Sequence, residues 1–121
     1  MTNTFATLSQ EDGISIITLD DGKANVFSEE MTKSINDCLD KVPTESGSLI
    51  ITGRAGMFSA GFDLTVLASG DVAKTKKMTS SGFKLLSRIF SFPRPVIAAC
   101  SGHGIALGTF LLCCCDFRIG V

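Results

Sequence analysis

The chain has 121 residues, 45% hydrophobic and 19% charged, which is one domain's worth of polypeptide with enough apolar side chain for a core and too little charge for a disordered chain. Eleven Lys and Arg against twelve Asp and Glu give a formal net charge of -1, so the basic footprint of a nucleic-acid binder is missing and nucleic acid is excluded as a partner. Five cysteines, an odd number with Cys113, Cys114 and Cys115 consecutive, suit neither a disulfide framework nor a zinc site: no metal is expected, and the compartment reads as a reducing cytoplasm or organelle matrix.

Phe5–Leu8 and Ile14–Leu19 carry β-branched and apolar residues on either side of Ser9-Gln10-Glu11-Asp12-Gly13, and read as a hairpin closed by a loop of several residues. Asp20-Asp21-Gly22-Lys23 ends the second strand. Ser28 then precedes Glu29 and Glu30, an N-cap followed by two carboxylates that the helix dipole favours in a first turn. Met31, Ile35 and Leu39 recur every four residues, which predicts an amphipathic helix that Pro43 ends. Ser48–Thr52 is a short buried strand closed by Gly53. In Arg54–Leu64 the glycines at 56 and 61 demand unusual turns or a close backbone approach.

Thr65–Lys77 has weak periodicity and three lysines, Lys74, Lys76 and Lys77, and reads as a mobile connection with a solvated face. Met78–Phe92 has helical apolar spacing despite Gly82, and Pro93 and Pro95 stop it. Val96–Cys100 reads as a buried strand, Gly102–Gly104 as a tight turn, Ile105–Cys114 as a nearly all-apolar helix, and Phe117–Gly120 as the start of another strand. The uncharged run Val96–Cys115 is long enough to span a membrane, but Ser101-Gly102-His103-Gly104 interrupts it, and polar backbone at that depth would be unsatisfied in lipid. No membrane association and no secretory signal are expected. The order of elements is α/β alternation.

Phe58–Leu64 and Gly102–Gly108 each combine a strand, a glycine-bearing turn and a following helix. Helix N-termini carry N–H groups without intrahelical partners, so two such turns facing each other could donate to one oxygen, as an oxyanion hole does.

Met57-Phe58-Ser59-Ala60-Gly61-Phe62-Asp63-Leu64 resembles the first signature of the crotonase (enoyl-CoA hydratase/isomerase) superfamily, Phe-x-Ala-Gly-x-Asp-Leu/Ile. Pro95-Val96-Ile97-Ala98-Ala99-Cys100 through Cys115-Asp116-Phe117-Arg118-Ile119 resembles the second, and Lys23-Ala24-Asn25-Val26-Phe27 looks like the family's Asn-Ala-Leu segment. The resemblance implies an α/β fold, the N-terminal half of a crotonase/ClpP-like ββα spiral. It also implies a coenzyme A thioester as substrate, with no permanently bound cofactor. The thioester carbonyl would accept hydrogen bonds from the backbone N–H groups of Phe62 and Leu107, and Lys23, Ala24, Ala60, Phe62, Asp63, Leu64 and Gly108 would line the coenzyme site.

Phe110 stands where family hydratases carry their first glutamate. Phenylalanine cannot move a proton, which tilts the expected parent activity from hydration toward double-bond isomerisation. Complete family members are about twice as long, so the resemblance implies a C-terminally truncated product, ending before the second catalytic acid and the trimerisation helices and not competent alone. The parent is expected to be a homotrimer or a dimer of trimers.

Two other readings stay open. A non-catalytic acyl-CoA-binding subunit would suit a truncated chain. Gly102-His103-Gly104-Ile105-Ala106-Leu107-Gly108 is a variant of the dinucleotide fingerprint and would imply an NAD(P) oxidoreductase fragment, although no room remains for the acidic residue that normally follows. His103, the only histidine, has no Ser or Cys nucleophile at recognisable spacing. Asp63 is read as turn-forming, Asp116 as ordering a strand start, and the cysteines as small hydrophobes.

Overall fold

Alternation decides the central sheet. In β2 (Ile14–Leu19) Ser15, Ile17 and Leu19 are buried while the intervening residues are not, and β3 (Ser48–Thr52) repeats this with Leu49 and Ile51. The computed structural model describes residues 4–121. It places β2 antiparallel to β1 (Ala6–Glu11) and parallel to β3, and then adds β5 (Val96–Cys100) and β7 (Phe117–Gly120), both parallel, in the order β1-β2-β3-β5-β7. A second sheet holds only β4 (Gly56–Ser59) and β6 (Gly102–Gly104), also parallel.

The chain therefore repeats one unit: a strand in the large sheet, a strand in the small sheet, then helix. β3 and β4 lead to α2 (Leu64–Ala68) and α3 (Val72–Phe90), β5 and β6 lead to α4 (Leu107–Cys114), and β7 opens a third round. α1 (Glu29–Leu39) precedes the repeat, capped by the Ser28 hydroxyl, which accepts from Met31 N–H. Met31, Ile35 and Leu39 from α1, Leu85 and Ile89 from α3, and Leu107 and Leu111 from α4 close over the inner sheet residues with Phe27 and Phe58 as one core. Asp116 ties the start of β5 to that of β7, accepting Val96 N–H on its carboxylate and donating its own N–H to the Val96 carbonyl.

Four expectations change. The hairpin loop is two residues, not several: Glu11 pairs with Ile14, and Asp12 (φ 51°) and Gly13 (φ 79°) both take the left-handed conformation of a tight hairpin turn. Ser9, Gln10 and Glu11 are strand, polar because this edge faces solvent. Thr65–Lys77 is not a loose connection. Its two helical pieces start at aspartates, Asp63 accepting from Thr65 N–H and Asp71 from Lys74 N–H, so α3 begins six residues before Met78. Gly102–Gly104 is a strand of the small sheet rather than a turn, and Ile105 and Ala106 precede α4 rather than belonging to it. The uncharged run from Val96 is thereby cut into two strands and a short helix, and among the described residues no helix is long and apolar enough to cross a membrane.

Candidate functional site

Three segments distant in sequence run side by side where β4 and β6 of the small sheet end. Ala60 N–H donates to the Ala24 carbonyl at 2.9 Å, Phe27 N–H to the Gly61 carbonyl at 2.8 Å, and Ile105 N–H to the Ser59 carbonyl at 2.9 Å. Residues 24–27, 59–62 and 105–108 thus meet along one line, which brings the expected coenzyme residues Ala24 and Ala60 into contact and puts the Gly61–Phe62 turn against the start of α4.

Glycine makes this approach possible. Gly61 has φ 92°, and a Cβ on it would stand 3.0 Å from Leu107 N and 3.2 Å from the Ile105 carbonyl oxygen. Gly108 lies against the Ser59 carbonyl so closely that any side chain would collide with it. Ahead of Leu107, Ala106 takes φ 52° and ψ -119°, a conformation strained for a residue with a Cβ, and its side chain caps nothing. Neither Phe62 N–H nor Leu107 N–H has an acceptor among the described residues. One follows Gly61 directly and the other is within van der Waals reach of it. Leu107 N–H also stands at the positive end of the α4 dipole.

The side chains around these amides are apolar. The Phe62 ring lies over Gly82 of α3, where a Cβ would come within 2.6 Å of it and 3.4 Å of the Leu107 side chain, and it meets the Phe83 ring edge-on at 5.7 Å. Phe110 lies one turn beyond Leu107 and is 52% exposed. Lys23 is exposed beside the site, Leu64 is exposed at the first residue of α2, and the Asp63 carboxylate is occupied in capping that helix. His103 is exposed on β6, its backbone paired with Met57. A groove of about 840 Å3 lies elsewhere, between β1 and α1, and none of the expected residues lines it.

The network that braces the site was missed from the sequence. Asn25 is fully buried, and its Nδ2 donates to the carbonyls of Leu19 and Phe58 at 3.0 and 3.1 Å, while its Oδ1 accepts from Asp21 N–H and from Arg54. The Asp21 carboxylate accepts three backbone N–H bonds, from Lys23, Asn25 and Val26, at 2.7 to 3.0 Å. The available signal was the Asp-Asp-Gly-Lys-Ala-Asn run, in which Asx side chains fold the backbone back on themselves.

A sequence profile described as Enoyl-CoA hydratase/isomerase matches residues 9–120. A probable enoyl-CoA hydratase of Bacillus subtilis is 32% identical over 116 residues, which cover 93% of this chain and 45% of that protein. Among solved structures, a probable enoyl-CoA hydratase from Mycobacterium tuberculosis is 42% identical with a TM-score of 0.91, covering 94% of this chain and 49% of the other. A second structure of that same M. tuberculosis protein, there described as an enoyl-CoA isomerase, is 40% identical with a TM-score of 0.89, covering 95% and 50%. The chain spans about half the length of these relatives.

Proposed function

The chain belongs to the enoyl-CoA hydratase/isomerase family, with the crotonase fold over about half the length of its relatives, and from that premise we propose that it binds an acyl-CoA thioester between the N–H groups of Phe62 and Leu107. The supporting observation is that these two amides lack acceptors among the described residues and flank the close approach at Gly61.

The chemistry follows from where charge develops. Loss of an α-proton turns the thioester into an enolate whose negative charge collects on the carbonyl oxygen, and two donors fixed beforehand stabilise that charge more than the neutral ground state. Removing one such donor costs about 3–4 kcal/mol of barrier. Both donors are main-chain groups, so substitution by another side chain acts only through shape, while proline removes the donor itself. The coenzyme portion is read as running past Lys23, Ala24, Ala60, Asp63, Leu64 and Gly108, with coenzyme A arriving as part of the substrate.

Phe110 sets the reaction class. Adding water across a double bond uses one group to activate the water and another to protonate carbon, whereas moving a double bond shuttles one proton between two carbons and needs a single base. A phenylalanine at this position supplies neither group, which favours isomerisation in the whole protein. A trimer or dimer of trimers belongs to the same proposal.

Calorimetric titration with crotonyl-CoA and with free coenzyme A tests the site. Tighter binding of the thioester is expected, and equal affinity for the two overturns the carbonyl contact. In a turnover assay, hydration of a 2-enoyl-CoA faster than isomerisation of a 3-enoyl-CoA would overturn the isomerase assignment while leaving the thioester site standing.

A further inference from the structure

We propose that Ser59 is the positioning residue that fixes the two thioester-binding amides relative to each other, an inference that rests on the function proposed above. Ser59 ends β4 and is 0% exposed. Its Oγ donates to the Asn25 carbonyl at 2.7 Å and accepts Gly61 N–H at 3.2 Å. Its carbonyl accepts Ile105 N–H at 2.9 Å and packs on Gly108. One residue therefore bonds to all three segments of the site. It holds the position just before Phe62 through its hydroxyl, and the position two before Leu107 through its carbonyl.

The hydroxyl matters because of what precedes each donor. Gly61 at φ 92° has no Cβ to restrict its dihedrals, so the direction of the following Phe62 N–H is set by what its neighbours hold. Gly61 is held on both sides, its N–H by the Ser59 hydroxyl and its carbonyl by Phe27 N–H. A buried hydroxyl carries one proton and accepts through its lone pairs, and here it does both across two different segments. Alanine keeps the backbone and Cβ and removes only the hydroxyl, which leaves Gly61 N–H and the Asn25 carbonyl without that bond. The Leu107 side depends on the Ser59 backbone and would be unaffected. Loss of the hydroxyl should therefore misdirect one donor of the pair and leave the coenzyme contacts in place.

Ser59→Ala and Ser59→Thr in the 121-residue chain separate positioning from mere stability. Three quantities are measured: thermal melting, affinity for crotonyl-CoA against free coenzyme A, and the infrared shift of the isotope-labelled thioester carbonyl on binding. Ser59→Ala is expected to leave coenzyme A affinity unchanged and to weaken crotonyl-CoA about five- to tenfold, the size of one neutral hydrogen bond. The bound carbonyl frequency should move back toward its value in water, and Ser59→Thr, which keeps the hydroxyl, should restore part of the shift. A folded Ser59→Ala with the wild-type carbonyl shift and thioester affinity overturns the inference and leaves the proposed function intact. If the wild type shows no carbonyl shift and no preference for the thioester, the proposed function falls and this inference with it. Should Ser59→Ala fail to fold, Ser59→Cys nearly keeps the volume while weakening both bonds, and is read in the same way.

Discussion

Asn25 sits in the left-handed conformation at φ 51°, which asparagine tolerates better than most residues, and it satisfies carbonyls that no strand partner reaches. Replacing it with alanine strands two buried acceptors and keeps a strained φ. The expected cost for Asn25→Ala is about 3 kcal/mol, measured by urea unfolding; a loss under about 1 kcal/mol would show that water replaces the amide at no penalty. Cys115 offers a second test at this level. Burial pushes its thiol up to about 12, with Cys114 and Asp116 adding to the effect, and the Sγ donates to the Leu111 carbonyl. The folded form holds its proton where the unfolded chain releases it. The contribution is therefore complete below the ordinary thiol value near 9 and is lost as pH rises toward 12. Wild type should lose stability over that interval more steeply than Cys115→Ala, and parallel curves would contradict the assignment. Burial also raises the Cys38 and Cys114 thiols in the same direction, which is why the comparison uses the single variant.

α3 illustrates how a strong local signal can be hidden by composition. Its first turns, Val72-Ala73-Lys74-Thr75-Lys76-Lys77, bury almost nothing, so apolar periodicity is silent there, and the start is written instead in Asp71, whose carboxylate accepts Lys74 N–H at 3.0 Å. Asp71→Ala should cost about 1 kcal/mol and raise hydrogen exchange in residues 72–77 while leaving 85–90 protected. Uniform exchange along α3 in the variant would show that packing, not the cap, holds the start. α1, β2, β3 and β5 were legible because each combines a buried face with a clear stop, whereas β7 buries none of its residues and was legible only from its alternating apolar positions, Phe117 and Ile119. The hairpin is legible, but its turn reads too long because the polar strand residues Ser9, Gln10 and Glu11 look like loop, while the tight turn itself is Asp12-Gly13. The pairing of Gly102–Gly104 with β4 could not be read locally, because a strand of three residues rich in glycine carries no period and exists only through its partner. Among site residues, Gly61 announced an unusual turn or a close approach, while nothing marked Gly108 as the residue packed on the Ser59 carbonyl. What Gly61 approaches depends on the spiral bringing 59–62 and 105–108 together, and that is a property of topology rather than of either segment.

Register across the large sheet has a consequence for the molecule as a body. Ile16, Ile50, Ile97 and Phe117 fall on one row, and Ala99 and Ile119 on another of the same face, opposite the buried rows that contain Ile17, Ile51 and Ala98. The row is half-covered at Ile16, Ile50 and Ile97 and opens at β7, where Phe117 is 62% and Ile119 66% exposed. Phe83, Phe90 and Phe110 add exposed aromatic surface on α3 and α4. Phe117 and Ile119, two residues apart on one face of β7, leave an open apolar edge, and a net charge of -1 gives little mutual repulsion to offset it. The native chain should therefore enhance the fluorescence of an anilinonaphthalene dye in buffer without denaturant. Replacing Phe117 and Ile119 together with lysine puts two charges on the open end of the row and removes its two most exposed side chains. That variant should lose most of the dye signal and stay soluble at higher concentration, with its unfolding free energy within about 0.5 kcal/mol per substitution of wild type, as for exposed positions generally. If the dye signal persists, the adhesive surface is the aromatic cluster of α3 and α4, and the Phe83→Lys and Phe90→Lys variants should then be the ones that abolish it.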